Sequence, residues 1–421
     1  MAVYNGVNST NKENTRQMTI GVWLSLFICC AYCTSILMFN IGDIMIPHIL
    51  YLFWVLSLVF LNKNKVSGLF SRLTFRPFYI FLVYYFIASL FVYSPITCIN
   101  RVIVMFELIS PIVMYELYSE YGNKARGLII LTISVIAAVN INILMHSVSI
   151  EVGLKQHEGE EGYLNSAYHW IYSFSIIEGF IVYAIRRILT ESIRYKVIFL
   201  VFLVAAFIAL LMTVVISLYA TALVLLLISV LMGLLYGRKY WLRKFLAILF
   251  GVLVFFIYCL PIVISLLEII SPDTAMYVNR AYEVYEITQG NVDAEGSGGA
   301  RMARSVLSLK TFFIHPIMGL TPHTPDVVAL DMPAIPGTKI GNHAEWVDDL
   351  GLYGVFALLL FSFLWKYTKL VYSKCDITFV FFAFIILGFL NKCFYIVNMT
   401  LIFLYAPLFM DFIMSFRKRI Q

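Results

Sequence analysis

Residues 197–216 read VIFLVFLVAAFIALLMTVVI, with Arg194 and Lys196 just before them and Ser217 just after. No charge interrupts the run, and about 20 apolar residues is the length an α-helix needs to cross roughly 30 Å of hydrocarbon. The run therefore predicts a membrane-spanning helix. Working outward, comparable windows recur along the whole 421-residue chain, in which 61% of residues are hydrophobic and 13% charged, against about 25% charged in a soluble domain. A soluble globular enzyme is excluded. The net charge of +6 sits in short clusters between apolar runs, so it bears on membrane orientation and not on nucleic acid.

Window by window, the expected spans are Thr19–Phe39, Ile44–Leu61, Pro77–Tyr93, Val102–Leu117, Gly127–Val148 and Ala167–Ile185. They continue with Val197–Ile216, Leu218–Tyr236, Phe245–Leu267, Gly351–Trp365, Ile377–Leu390 and Tyr395–Met414. The expectation is an all-α, polytopic integral membrane protein with about 12 transmembrane helices, a single membrane domain over residues 1–421. Lys and Arg gather in alternate connections, among them Arg72 and Arg76, Arg186 and Arg187, Arg238 and Lys239, Lys366 and Lys369, and Arg417 to Arg419. Since basic residues mark cytoplasmic loops, an even number of spans with both termini cytoplasmic follows. The polar start, Met1 to Met18, then reads as a cytoplasmic tail and not as a signal peptide.

Cysteine carries little information. Cys29, Cys30, Cys33 and Cys259 lie in apolar runs, Cys375 in a basic stretch, and Cys98 and Cys393 read as small apolar residues at helix ends. Neither a disulfide framework nor a zinc spacing is present.

The chemistry-bearing residues concentrate in one long connection, residues 268–350, which the topology places on the outer face. After Gly296-Ser297-Gly298-Gly299, residues 300–313 put Met302, Val306, Leu309 and Phe313 at helical spacing and Arg301, Arg304 and Ser308 on another face. Two arginines near a helix N-terminus suit phosphate, because guanidinium donors join free backbone N–H groups and the positive dipole end. A solvated or headgroup-facing arginine pair is the plainer reading of the same spacing. Further on, Gly341-Asn342-His343-Ala344-Glu345-Trp346-Val347-Asp348-Asp349-Leu350-Gly351 runs into the next span. A histidine at that mouth can titrate near neutrality and accept a hydroxyl proton, although lone histidines more often just end helices. Asp348 and Asp349 also suit a helix start as caps. Within the spans, Glu107 and Glu178 stand out, since buried charge in a bilayer is costly and marks a cavity or partner. Arg101 falls at the outer end of its span, where it would meet a lipid phosphate or serve as an anchor. His157 and His169 flank a small acidic outer loop with no metal spacing.

Together these residues resemble the bacterial O-antigen polymerase and O-antigen ligase superfamily, polytopic glycosyltransferases of GT-C-like architecture. The resemblance rests on the twelve-span layout with one large late outer loop, on Gly299-Ala300-Arg301 leading to His315-Pro316-Ile317-Met318-Gly319, and on His343 followed by Gly351 and Gly354. The layout covers the chain, whereas the motifs cover only the late loop. It implies that Arg301 contacts a lipid-linked pyrophosphate and that His343 acts on the acceptor hydroxyl. Glu345 and Asp348 are then expected at the substrate site. Two departures stand out: Ala344 occupies a position that is often Asn or Ser, and Ser217-Leu218-Tyr219-Ala220 replaces a frequent mid-chain arginine. Arg304, Arg101 or Arg280 would take over that arginine's contact.

The implied activity is a polysaccharide repeat-unit polymerase, for O-antigen or capsule, in the bacterial inner membrane. It would move an undecaprenyl-pyrophosphate-linked glycan onto an acceptor sugar hydroxyl by metal-independent, inverting transfer. Implied partners are that lipid-linked oligosaccharide, membrane lipid and a chain-length regulator, with no cofactor and no nucleic acid. A ligase acting on lipid A core shares the same motifs. A lipid-linked oligosaccharide transporter or flippase is the competing class, recognised by matched halves and Gly/Pro-broken helices that are not evident here.

Overall fold

The computed structural model describes residues 70–119, 122–147, 167–217, 219–252, 297–323, 340–341 and 344–417, with 23, 27–28, 40–41, 44–45, 50–51, 53–56, 67–68, 254 and 262. These residues are overwhelmingly helical, save a two-residue antiparallel pair, β1 (Asn40–Ile41) with β2 (Ile44–Met45), and a bridge between Ile193 and Arg417. The helices are α1 (Arg76–Ser89), α2 (Pro95–Tyr118), α3 (Asn123–Ser147), α4 (Ala167–Thr190), α5 (Lys196–Ile216) and α6 (Ala220–Leu235). After them come α7 (Ser297–Ile314), α8 (Glu345–Tyr353), α9 (Ala357–Cys375), α10 (Thr378–Leu390), α11 (Ile396–Met399) and α12 (Ala406–Met414). A 3₁₀ turn, Gly354–Phe356, joins α8 to α9, and a π-helical turn, Thr400–Tyr405, joins α11 to α12.

The expected count of about twelve spans is corrected here. Among the described residues, five helical segments are long and apolar enough to cross a membrane: Pro95–Tyr118, Asn123–Asn142, Lys196–Ile216, Glu345–Cys375 and Ile396–Met414. The reason is that an apolar window measures composition and not the length of unbroken helix. Within Pro77–Tyr93, helix α1 stops at Ser89 after 14 residues, which rise only about 21 Å. Ser94 then starts α2, its hydroxyl accepting from the Thr97 amide at 3.3 Å. Thr221–Leu235 and Thr378–Leu390 are apolar but short. More than half of each of the windows at 19–39, 44–61 and 245–267 lies outside the described residues. The chain is thus a membrane protein with several apolar helices.

At its centre stands α4, whose residues from Trp170 to Ile181 are all buried. It meets α6 backbone to backbone: a Cβ on Gly179 would lie 2.1 Å from the Ser229 carbonyl oxygen, and one on Gly233 would lie 2.1 Å from that of Gly179. Lipid gives apolar side chains no reason to leave it, so helices associate in membranes through small residues at such crossings. Polar groups tie the other neighbours, with Ser173 donating to Asn398, Asn391 donating to Tyr172 at 2.8 Å, and Ser134 paired with Tyr405 at 3.2 Å.

The two ends of the bundle differ in charge. One carries arginines held by the ends of several helices. Arg72 pairs with Glu116, Arg187 with Glu191 (2.6 Å) and Asp376 (3.2 Å), and Arg417 with Glu191 (3.3 Å). Arg186 donates to the freed carbonyls of Leu234 and Tyr236 at the C-terminus of α6. The opposite end gathers Arg101, Glu345, Asp348, Asp349, Asn391 and Lys392, and it holds the residues that the sequence singles out.

Candidate functional site

The site is built where α7 lies across α8. Ser308, in the middle of α7, donates to Asp348 Oδ1 at 2.5 Å and accepts from the Gly341 amide at 2.7 Å. Asp348 Oδ2 in turn accepts from the Ala344 amide at 3.1 Å. The carboxylate therefore caps the start of its own helix while holding the neighbouring one. Only glycine allows so close an approach, since a Cβ on Gly341 would lie 2.3 Å from the Arg304 carbonyl oxygen. Asn342 and His343 lie outside the described residues, and the chain enters and leaves that pair through two anchored amides.

A second joint lies at the far end of α7. The turn His315–Gly319 closes with the Gly319 amide donating to the His315 carbonyl at 3.0 Å. It wraps the point where α8 gives way to the 3₁₀ turn: Val355 donates to Pro316 (2.8 Å), Leu320 to Gly351 (3.0 Å) and Thr321 to Leu352 (3.0 Å). Gly319 and Gly354 both have left-handed backbone, φ +61° and +58°. Tyr84 of α1 donates to the Met318 carbonyl and stacks on Phe356 at 3.9 Å, which docks this joint on the bundle.

Along α8, Glu345, Asp349 and Tyr353 recur every fourth residue and share one stripe. Glu345 Oε2 accepts from the Cys393 amide at 3.1 Å. Lys392, beside it, is the cation whose field reaches Glu345 and Asp349. Asp349 is buried, and among the described residues its Oδ2 has no hydrogen-bond donor. Trp346, the residue after Glu345, donates to the Ile385 carbonyl at 2.6 Å against Gly388. Past Tyr353, which sits edge-on to Tyr85 at 5.7 Å, comes Arg101: its Nε donates to the Tyr85 hydroxyl at 3.0 Å and its guanidinium lies 4.4 Å from the Tyr93 ring centre.

The sequence-derived residues fall as follows. Glu345, Asp348 and Arg101 stand at the same end of the bundle, and Arg304 contributes its backbone to the contact with Gly341. The backbone of Arg301 belongs to the first turns of α7. Arg280 and His343 lie outside the described residues, as does His157. Glu107 and Glu178 are buried in α2 and α4, and among the described residues neither oxygen of Glu178 has a hydrogen-bond partner. Cys98, Cys375 and Cys393 are buried free thiols. Ser308, Asp349, Tyr353 and Lys392 escaped the sequence reading as site residues, although the four-residue spacing of Glu345, Asp349 and Tyr353 was visible. Among the described residues no group of three metal-ligating side chains is present.

Two further features belong to this region. Val306, Leu309, Phe313 and Ile314 of α7, with Ile317 after it, are exposed, so the helix contacts the bundle through its Ser308 and Thr311 face and turns its apolar stripe outward. His315 packs against His323, ring centres 5.0 Å apart. Burial first, and then the neighbouring His323, push the His315 imidazole below the ordinary histidine range.

No family model matches the chain, and no curated protein matches it either.

Proposed function

We propose that this protein is a membrane glycosyltransferase of the O-antigen polymerase kind, joining lipid-linked glycan repeat units. The observation that carries the reading is the double joint between α7 and α8. Ser308, Asp348 and Gly341 clasp one side while Gly319 and Gly354 interlock on the other. The backbone of Arg301, the turn His315–Gly319, Gly351 and Gly354 belong to one small assembly, at the end of the bundle away from the arginine cluster. With basic residues favouring the cytoplasm, the arginine-rich end faces inward and the α7–α8 assembly faces outward, across a bacterial inner membrane.

In the proposed reaction an undecaprenyl-pyrophosphate-linked glycan is the donor. The acceptor hydroxyl loses its proton to His343 as its oxygen attacks the anomeric carbon. The bond to the pyrophosphate oxygen breaks, and the lipid pyrophosphate leaves with the electron pair. Such a displacement inverts the anomeric centre. The leaving group is already good, so positioning and charge neutralisation supply most of the acceleration. Arg301 and Arg304, from the N-terminal half of α7, are the proposed pyrophosphate contacts, with Arg101 and Arg280 as further cations. Asp348 engages both oxygens inside the assembly, which makes it the brace of the segment bearing His343.

Complementation tests the reading. In a bacterium lacking its own repeat-unit polymerase but supplied with this chain and its cognate lipid-linked repeat, long polysaccharide should return with the wild type and not with His343→Ala. Transport of the lipid-linked unit without any sugar joining would point instead to a flippase. Transfer of finished chains onto lipid A core would point to a ligase.

A further inference from the structure

A groove of about 250 Å³ opens on the flank of the bundle, lined by α3, α4, α5 and the π-helical turn. Its floor is the central helix α4, through Phe174, Ile177 and Ile181, whose spacing of three and four residues puts them on one face. Its walls carry alanines, Ala138 on α3 with Ala205 and Ala209 on α5, and all three are exposed. Small residues usually let helices in a membrane close on one another, as Gly179 and Gly233 do for α4 and α6. Here the alanines instead leave their missing side-chain volume as a groove. An apolar void forfeits the contacts of every atom that lines it, so an occupant of matching chemistry stabilises the fold.

The lining decides what that occupant is. Only Ser134 and Tyr405 bring polar side-chain atoms to it, and their hydroxyls pair with each other at 3.2 Å. No charged side chain lines the groove, so a phosphate, a sugar or an amine would find no partner there. Depth gives the same answer. On α5 the lining runs from Phe202 to Leu210, and each limit lies six residues from an end of the helix at Lys196 or Ile216, a rise of about 9 Å. Because α5 is long and apolar enough to cross a membrane, its middle lies at the depth of lipid tails and not of headgroups. Beside the groove, α3 exposes Val135 and Val139 while α5 exposes Val201, Val204 and Ile208. The groove is therefore continuous with the surface that these two helices turn to hydrocarbon.

We propose that the groove is a lipid-binding site that takes one acyl chain of a bilayer phospholipid, whose headgroup stays at the membrane surface. The chain completes the packing of α3, α4 and α5 and holds the two outer helices at their present separation. A glycan carrier held at the α7–α8 assembly is not this occupant: α5 packs on α3 and α4, whereas α8 packs on α7, α9 and α10. The lipid site is thus independent of the glycosyltransferase reading.

Native mass spectrometry of the purified full-length protein, with thermal melting in detergent, tests the site with dioleoyl phosphatidylglycerol as the probe. The wild type should retain one phospholipid through mild delipidation, and added dioleoyl lipid should raise its melting temperature. Dihexanoyl phosphatidylglycerol, the same headgroup on chains too short to reach the groove, should do neither. Ala209→Phe fills the groove and should abolish both effects, while Val201→Phe, on the same helix but outside the groove, should keep them. Should Ala209→Phe not accumulate, Ala205→Leu carries the same expectation. A wild type that retains no phospholipid, equal retention in the wild type and the groove variant, or equal stabilisation by the two lipids overturns the proposal. Preferential retention of an isoprenoid diphosphate also overturns it and assigns the groove to a carrier lipid. A doubled mass that Ala209→Phe abolishes would assign it to a second copy of the chain.

Discussion

Gly319 and Gly354 lock into one another: a Cβ on Gly319 would lie 2.6 Å from the Gly354 amide nitrogen and 2.2 Å from the Leu352 carbonyl oxygen. A Cβ on Gly354 would in turn lie 2.4 Å from the Ile317 carbonyl oxygen. Two glycines from separate motifs thus meet for one physical reason, the passage of a tight turn over the break between α8 and α9. With left-handed backbone at both positions, Gly319→Ala and Gly354→Ala each incur about 1–2 kcal/mol of backbone strain before any overlap is relieved. Both variants should show a clearly lowered melting temperature in detergent and little polysaccharide; wild-type melting for both would mean that the joint is looser than described.

Ser308 offers a milder test of the other joint. Ser308→Ala removes the donor to Asp348 and the acceptor for the Gly341 amide, leaving buried polar groups unmatched at about 1–3 kcal/mol. The expected outcome is reduced thermal stability with faster amide hydrogen exchange at Gly341 and Ala344. Unaltered exchange there would show that Ser308 is not the brace.

The outward stripe on α7 predicts membrane contact. A fluorophore attached at position 313 in a Phe313→Cys variant should be quenched more strongly by lipid-borne quenchers than by a water-soluble one. Phe313→Asp should lower the yield of folded protein in membranes while changing little in the α7–α8 contact. Stronger quenching at position 313 by the water-soluble quencher would place the helix away from the bilayer.

His315 gives a pH dependence with a definite sign. Its imidazole titrates below the unfolded value of about 6.5, because burial and His323 disfavour the cation. As pH falls through that unfolded value, the unfolded chain binds a proton that the folded turn refuses. The contribution is therefore present above pH 6.5 and lost progressively below it, down to the folded pKa. Hydrogen exchange at Gly319 and Leu320 should accelerate selectively across that range in the wild type and not in His315→Asn. The same acceleration in both would assign the effect to another group.

How much of this was legible beforehand differs from element to element. The run from Val197 to Ile216 and the break at Ser217 coincide with α5 and the turn before α6, because an uninterrupted apolar run of full length leaves a membrane chain few alternatives. The number of spans was not legible, since α1, α6 and α10 are apolar enough but stop short. The spacing in residues 300–313 revealed a helix but not its inward side. Lipid can satisfy apolar side chains as well as protein would, so the exposed Val306, Leu309 and Phe313 do not mark the interior, and the small polar Ser308 does. Asp349 resembled a solvated cap because it follows Asp348 near the start of a helix. Its burial depends on α10 and on Lys392, which no local pattern connects to it.

Polymer growth followed in vitro, with purified protein and lipid-linked repeat units, tests the proposed glycosyl transfer at its two key residues. Arg301→Lys should lose most activity although the charge is kept, since an ammonium cannot present the planar two-point fork that a pyrophosphate accepts. His343→Ala should lose roughly 10²- to 10⁴-fold while still inserting in the membrane and melting like the wild type. Wild-type polymer growth from both variants would contradict the account.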